Sequence, residues 1–277
     1  QRRRGRRSGK PQRIDAVFGK GKVQPFRRCK AHGAFRQFTR NAFARPRQRT
    51  DHLILARLEL AALESAGLKV TLLDPLEDFP DAIFVEDPAL VFPDCAILLN
   101  PGAPTRAGEG AFLRPTLEAM FDQVLELPEG YADGGDVLAM EHAVYIGLSA
   151  RTDRAGAAAL ARLLERTGRK AVVAETPPSV LHLKTASSIV DEETILATRE
   201  LAASGVYAGN RVLEIPAGEE AGANILRVND TVLAGSRFPR ILDLLDAHGA
   251  NVVTLQNSEI EKIDAGFTCM SLRWMGR

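Results

Sequence analysis

The chain repeats itself, and the repeat limits what it can fold into. From Asp133 the sequence runs GGDVLAMEHAVYIGL, then a stretch of helical periodicity over 153–166, then Gly168 and AVVAE. That order spells strand, turn, strand, helix, strand. It returns after Gly222 as ANILRVNDTVLAG, with Asn229-Asp230 as its turn, a helix over about 238–247, Gly249 and NVVTL. A third copy opens near Ile83 with AIFVEDPALVF and CAILLN, continues through a helix over about 109–121 and closes on QVLEL. Partial copies lie at either end: a helix over about 52–65 followed by Gly67 and KVTLL, and the hairpin TASSIVDEETILAT. Gly168 and Gly249 follow the last helical turn, where a left-handed residue closes a helix. A unit of roughly 40 to 50 residues with one sheet and one helix cannot bury its own faces, so copies must stack. About five such units fit the 277 residues. The expected fold is α/β, a five-bladed propeller of ββαβ units with pseudo-fivefold symmetry, an incomplete N-terminal blade and polar ends meeting on an axis. A doubly wound sheet is the competing architecture, disfavoured by hairpins where crossovers should stand.

A net charge of +1 hides two compositions. Residues 1–50 hold 17 Lys and Arg against Asp15 alone, and residues 51–277 hold 19 basic and 34 acidic residues. A basic arm of this kind can bind nucleic acid or an anionic surface. Residues 1–35 show no apolar periodicity, however, and a disordered appendage or non-native sequence explains them more simply. The expected organisation is an arm over 1–35 and one catalytic domain over 36–277. The acidic body suits a cationic small molecule better than a polyanion. Cys29, Cys95 and Cys269 are too few for a disulfide framework, which points to a reducing, cytoplasmic compartment. No Cys-x-x-Cys or His-x-x-x-His pair offers metal spacing, and no apolar run approaches the roughly 18 residues of a membrane helix.

The strings of serine hydrolases, P-loop NTPases and Rossmann enzymes are absent. What stands out instead is charge where apolar residues would be expected. Phe79-Pro80-Asp81-Ala82-Ile83-Phe84-Val85-Glu86-Asp87 places three acids in a strand of buried character, at a cost of several kcal/mol unless cations or donors meet them. The segment is either a pocket for a guanidinium or ammonium group, or a strand end turned to solvent. Asp133-Gly134-Gly135-Asp136 and Leu181-His182-Leu183-Lys184 leave a similar choice. A histidine between leucines is more often a core residue, yet with an acid to accept its ring N–H it is an oriented general acid/base. Cys95 lies in an apolar run and reads as packing. Cys269, within Gly266-Phe267-Thr268-Cys269-Met270-Ser271-Leu272-Arg273, is by composition a small core hydrophobe, and its position alone does not decide.

Together these segments resemble the dimethylarginine dimethylaminohydrolase family of guanidine-modifying enzymes. The matching strings are FPDAIFVEDPALV (79–91), NPGAPTRAGE (100–109), DGGDVL (133–138), YIGLSART (145–152), LHLKT (181–185), the Ala223-Asn224 pair and EKIDAGFTCMSLRW (261–274), covering about residues 53–274 in family order. The resemblance implies a pentein-like propeller of five ββαβ blades with the site on its axis. It implies Cys269 as nucleophile, His182 as general acid/base and Asp133 as the acid beside them. Glu86 and Asp87 would surround the guanidinium, Asp81 would receive the α-ammonium, and Arg106 with Arg151 would hold the α-carboxylate. The implied reaction is hydrolysis of a methylated L-arginine to citrulline and a methylamine, with no metal or cofactor.

Two departures accompany the match. Arg106 is followed by Ala107 where the family carries a second arginine. Phe38–Pro46 looks like the family's first strand, but only a short basic stretch separates it from the helix near His52, where relatives place a longer lid loop. An arginine deiminase-like amidinohydrolase and a non-catalytic scaffold with a nucleic-acid-binding arm are the alternatives. The expected partner is a small-molecule substrate rather than membrane or nucleic acid, and a homodimer is an allowed assembly.

Overall fold

The structure, a computed structural model, describes residues 14–18, 58–256, 261 and 265–275. Its strands form five separate three-stranded sheets. In four of them an antiparallel pair is followed by a helix and a parallel third strand. These are β3 (Ala89–Val91), β4 (Ala96–Leu98), α2 (Gly110–Met120) and β5 (Val124–Glu126); β6 (Val137–Ala139), β7 (Val144–Leu148), α3 (Arg154–Arg166) and β8 (Ala171–Glu175); β9 (Ser187–Ile189), β10 (Thr194–Ala197), α4 (Arg199–Ala203) and β11 (Arg211–Glu214); and β12 (Leu226–Val228), β13 (Thr231–Gly235), α5 (Pro239–His248) and β14 (Asn251–Leu255). The fifth sheet joins distant ends of the chain. β1 (Ile14–Phe18) pairs antiparallel with β15 (Ser271–Met275) and parallel with β2 (Leu68–Leu72), which follows helical residues 58–65, here α1.

Local chemistry sets the element ends. Asp153 caps α3 by accepting the Gly156 N–H at 2.6 Å, and Glu219 accepts the first N–H groups of α5 from Arg240 and Ile241. Gly168 and Gly249 take the left-handed conformation that stops α3 and α5.

The middle strands β4, β7, β10 and β13 are mostly apolar because both of their faces are largely buried. In β7, Val144 and Ile146 pack into one cluster with Leu90 and Ile97, whereas Tyr145 packs into another with Leu183 and Ile195. Leu196 of β10 joins Val232 and Phe238; Leu233 of β13 joins Ala16 and Phe267; and Leu272 and Trp274 of β15 join Ala96 and Leu98. Each of the five apolar clusters therefore bridges two consecutive sheets, and the last returns to the first.

Several expectations need correcting. The described residues hold five small sheets and no single open one, so the doubly wound alternative falls. The N-terminal unit is not incomplete, since β15 supplies its third strand. Ile14–Phe18 lies inside the expected arm of 1–35 yet forms a paired strand, so the fold reaches back beyond residue 36; basic neighbours obscure the Ile-Asp-Ala-Val-Phe run in the sequence. Residues 81–88 turn rather than extend: Phe84 N–H bonds to Asp81 O and Asp87 N–H to Phe84 O. Leu181–Lys184 likewise enters a 3₁₀ turn over Leu183–Thr185 instead of a strand. Phe38–Pro46 and the loop before the first helix lie outside the described residues. Among the described residues no helix is long and apolar enough to cross a membrane.

Candidate active site

Topology explains why distant residues meet. Asp81–Asp87 precedes β3, Asp133–Asp136 precedes β6, His182–Lys184 precedes β9, Asn224 precedes β12 and Cys269 precedes β15, so each occupies the same place in its unit. Because the first and second strands of a unit run antiparallel, Arg106 after β4 and Arg151 after β7 come to that same end.

Hydrogen bonds tie the five segments into one cluster. Asp133 accepts the Gly102 N–H on Oδ1 at 2.7 Å and faces His182 Nε2 with Oδ2 at 3.0 Å. Asp87 accepts the Gly135 N–H on Oδ1 at 3.0 Å, and its Oδ2 lies 2.5 Å from Arg106 Nη1. Glu86 pairs with Lys184 Nζ at 2.5 Å and accepts the Thr268 hydroxyl at 2.8 Å, while its N–H donates to Cys269 O. Asn224 accepts the Thr268 N–H at 3.0 Å and donates Nδ2 to Lys184 O, to Thr268 Oγ1 and, at 4.0 Å, to Cys269 Sγ. Gly266 N–H also donates to that sulfur, at 3.4 Å.

The paired glycines are required by close approach. A Cβ on Gly134 would stand 2.0 Å from Glu86 O, and one on Gly135 would stand 2.7 Å from His182 Nδ1 and 2.9 Å from Asp87 Oδ1. Any side chain there would displace the imidazole.

Charge is concentrated and paired. Burial raises the Asp87 carboxyl, but Arg106, His182, the Gly135 N–H and Lys184 outweigh it and hold the group below the usual carboxylate range. Burial alone would lower the His182 imidazole; Asp87, the hydrogen bond to Asp133, and Asp136 reverse that and raise it. For Cys269, burial first and then Glu86 and Asp87 push the thiol up to about 12, against Gly266 N–H and Lys184. Among the described residues no hydrogen bond joins this sulfur to the His182 ring; Asp87 acts electrostatically on both. Asp81 is half-buried and raised by burial in the field of Arg106, Arg151 and Asp87. Among the described residues Asp87, Asp133 and His182 offer ligand atoms within 4.8 Å of one another, but Asp87 is paired with Arg106, and Asp133 with the His182 ring.

The expected residues do gather, with one difference in role. Arg106 is buried, forks onto both Glu109 oxygens at 2.7 Å, and also donates to Phe84 O and Asp87, which leaves it little free donor capacity. Arg151 is half-buried and carries no such pairing among the described residues. Sequence reading assigned no role to Lys184, Asn224, Thr268, Asp136 or Glu109. Glu109 had a signal in its three-residue spacing from Arg106, and Lys184 and Asn224 lay within the quoted strings.

Known proteins are similar to this chain in sequence and in fold. The arginine deiminase family model matches residues 76–213. The N(G),N(G)-dimethylarginine dimethylaminohydrolase of Pseudomonas aeruginosa is 36% identical over 217 residues, covering 78% of this chain and 85% of that protein. This chain belongs to the dimethylarginine dimethylaminohydrolase family. The Streptomyces coelicolor protein of the same name is 32% identical over 233 residues, 82% of this chain and 88% of its own. A cysteine-to-serine mutant of the Pseudomonas family member, solved with citrulline, superposes with a TM-score of 0.80 at 29% identity, over 95% of this chain and 98% of that one.

Proposed function

We propose that the chain hydrolyses N-omega-methylated L-arginine, as asymmetric dimethylarginine or monomethylarginine, to L-citrulline and a methylamine. The observation that carries this is a thiol and an oriented imidazole, both facing the buried Asp87, in a chain of this family.

The five sheets read as the blades of a pseudo-fivefold ring. The support is that each apolar cluster bridges consecutive sheets and the last bridges back to the first. The site then lies where the five loop ends converge.

A guanidinium bound beside Glu86 and Asp87 brings positive charge to a thiol that those acids otherwise keep protonated, so binding favours loss of its proton to solvent. The Cys269 thiolate adds to the guanidinium carbon. His182, protonated in its acidic surroundings, gives its proton to the departing amine as the C–N bond breaks, leaving an S-alkylthiouronium. Neutral His182 takes a proton from water as the oxygen adds to the same carbon. The adduct collapses to citrulline as the C–S bond breaks, and the hydroxyl proton returns to sulfur. Asp133 holds the ring in place throughout. Asp81 takes the α-ammonium. Arg151 holds the α-carboxylate with whatever donor Arg106 retains beyond its buried pairs, which selects a free amino acid over a peptide-bound arginine. A free thiol at the centre of the chemistry suits a reducing cytoplasm.

The match to the arginine deiminase model supports a second reading, with unmodified arginine as substrate and ammonia as leaving group. Citrulline assayed after incubation with asymmetric dimethylarginine and, separately, with arginine decides between them. Release from the first alone supports the proposal, release from arginine alone supports the second reading, and release from neither refutes both.

A further inference from the structure

We infer that Asp136 is the positioning residue that couples the acid/base histidine to the arginine that holds the substrate's carboxylate. The inference rests on the reading of the site given above and deepens it.

Asp136 is fully buried, and among the described residues its side-chain hydrogen bonds reach Ser149, Thr152 and Leu183 rather than a reacting group. Its Oδ1 accepts the Leu183 N–H at 2.9 Å, the peptide group that immediately follows His182. Its Oδ2 accepts the Ser149 hydroxyl at 2.6 Å and the Thr152 hydroxyl at 2.7 Å, which flank Arg151. The Thr152 hydroxyl in turn accepts the Asp133 N–H at 3.1 Å, so the histidine's acid partner hangs on the same carboxylate. Gly147 leaves room for Leu183 beside this hub, since a Cβ there would stand 2.3 Å from Thr176 Oγ1 and 2.9 Å from Leu183 Cβ.

Counting donors shows that this position needs a carboxylate. Ser149 Oγ already accepts the N–H groups of Arg151 at 3.0 Å and Thr152 at 3.2 Å, which uses both of its lone pairs. It can only donate toward residue 136. Leu183 N–H can also only donate. An asparagine offers one acceptor oxygen and one NH₂, so in either orientation it sets donor against donor, at the hydroxyl pair or at Leu183. The acceptor-only carboxylate satisfies all three. Its charge also contributes to raising the His182 imidazole, alongside the stronger effects of Asp87 and Asp133.

The test compares purified wild type, Asp136→Asn, Thr152→Val and Thr152→Ser on asymmetric dimethylarginine, with kcat and KM taken per folded protein by circular dichroism. D136N is expected to lose about tenfold to a hundredfold in kcat/KM, the size of loss that follows removal of a hydrogen-bond partner that orients a functional side chain. The loss should appear in both kcat, through His182, and KM, through Arg151, and the pH profile should shift to lower pH. T152V should follow it in direction, and T152S should recover most of the difference because the hydroxyl is restored. Wild-type kcat and KM in folded D136N overturn the inference. If D136N does not fold, T152V and T152S decide: equal kinetics in the two overturn it. The His182 ring titration followed by NMR needs no turnover, so it separates the hub from the assigned reaction. Its midpoint is expected to fall in D136N, and an unmoved midpoint overturns the inference even where wild type acts on no arginine derivative.

Discussion

Two histidines of this chain meet an aspartate through Nε2, and they sit in different chemistry. His248 lies 2.7 Å from Asp191, and His182 lies 3.0 Å from Asp133. His248 ends α5, and Asp191 sits in the turn between β9 and β10, so that pair fastens a helix end to a hairpin. His182 stands instead among Asp87, Asp133 and Asp136, with the backbone beside its ring trimmed to Gly135. A His–Asp contact is thus a fastening in one place and part of a reaction site in the other. What differs is the acids around the second ring and the space kept clear beside it.

The comparison can be broken experimentally. Cys269→Ser should remove turnover by about 10⁴-fold or more, with thermal stability within ~1 kcal/mol because the swap is nearly isosteric; normal turnover would remove the nucleophile from the site. His182→Asn should cost about 10²- to 10⁴-fold in kcat, and a covalent adduct that accumulates by mass spectrometry would place the greater loss in the second half-reaction. His248→Asn should leave kcat and KM as in wild type and lower the unfolding free energy by the roughly 0.5–1.5 kcal/mol of a lost hydrogen bond. Equal kinetic losses in the two variants would erase the distinction. Gly135→Ala should abolish most activity by displacing the ring. Gly168→Ala, where a Cβ meets nothing within 4 Å, should only destabilise, by about 1–2 kcal/mol for its left-handed backbone.

The smallest effect expected concerns pH. In the substrate-free protein burial, Glu86 and Asp87 hold the Cys269 thiol up to about 12, so iodoacetamide at pH 8 should react slowly and faster as pH rises. Glu86→Gln removes one of the raising charges and should speed alkylation several-fold while slowing turnover. Slower alkylation in that variant would mean that Glu86 does not oppose the thiolate.

How far the sequence reveals this depends on the range of each contact. Units with periodic strands and a glycine-capped helix, as at 137–175 and 226–255, are legible because their signals are local. Residues 83–87 misread as a strand because Ile83 and Val85 are buried in a turn, and a short apolar run does not distinguish the two. β1 is a five-residue alternation inside a basic stretch. The acids, His182 and Cys269 stand out as chemistry in apolar company. Their partners do not, since Lys184 reaches Glu86, and Asn224 reaches Thr268, only through the packing of separate units. The commitment of Arg106 to Glu109 and Asp87 was hidden for the same reason.

The sheet that joins β1 to β15 bears on how the sulfur is placed. Phe18 pairs with Ser271 across more than 250 intervening residues, and Cys269 stands two positions before that strand. Without that pairing Cys269 would be held, among the described residues, only through its loop contacts to Glu86, Asn224 and Gly266. The placement of the sulfur, more than that of the acids or the imidazole, would then depend on the contact in the chain that is longest in sequence and costliest in loop entropy.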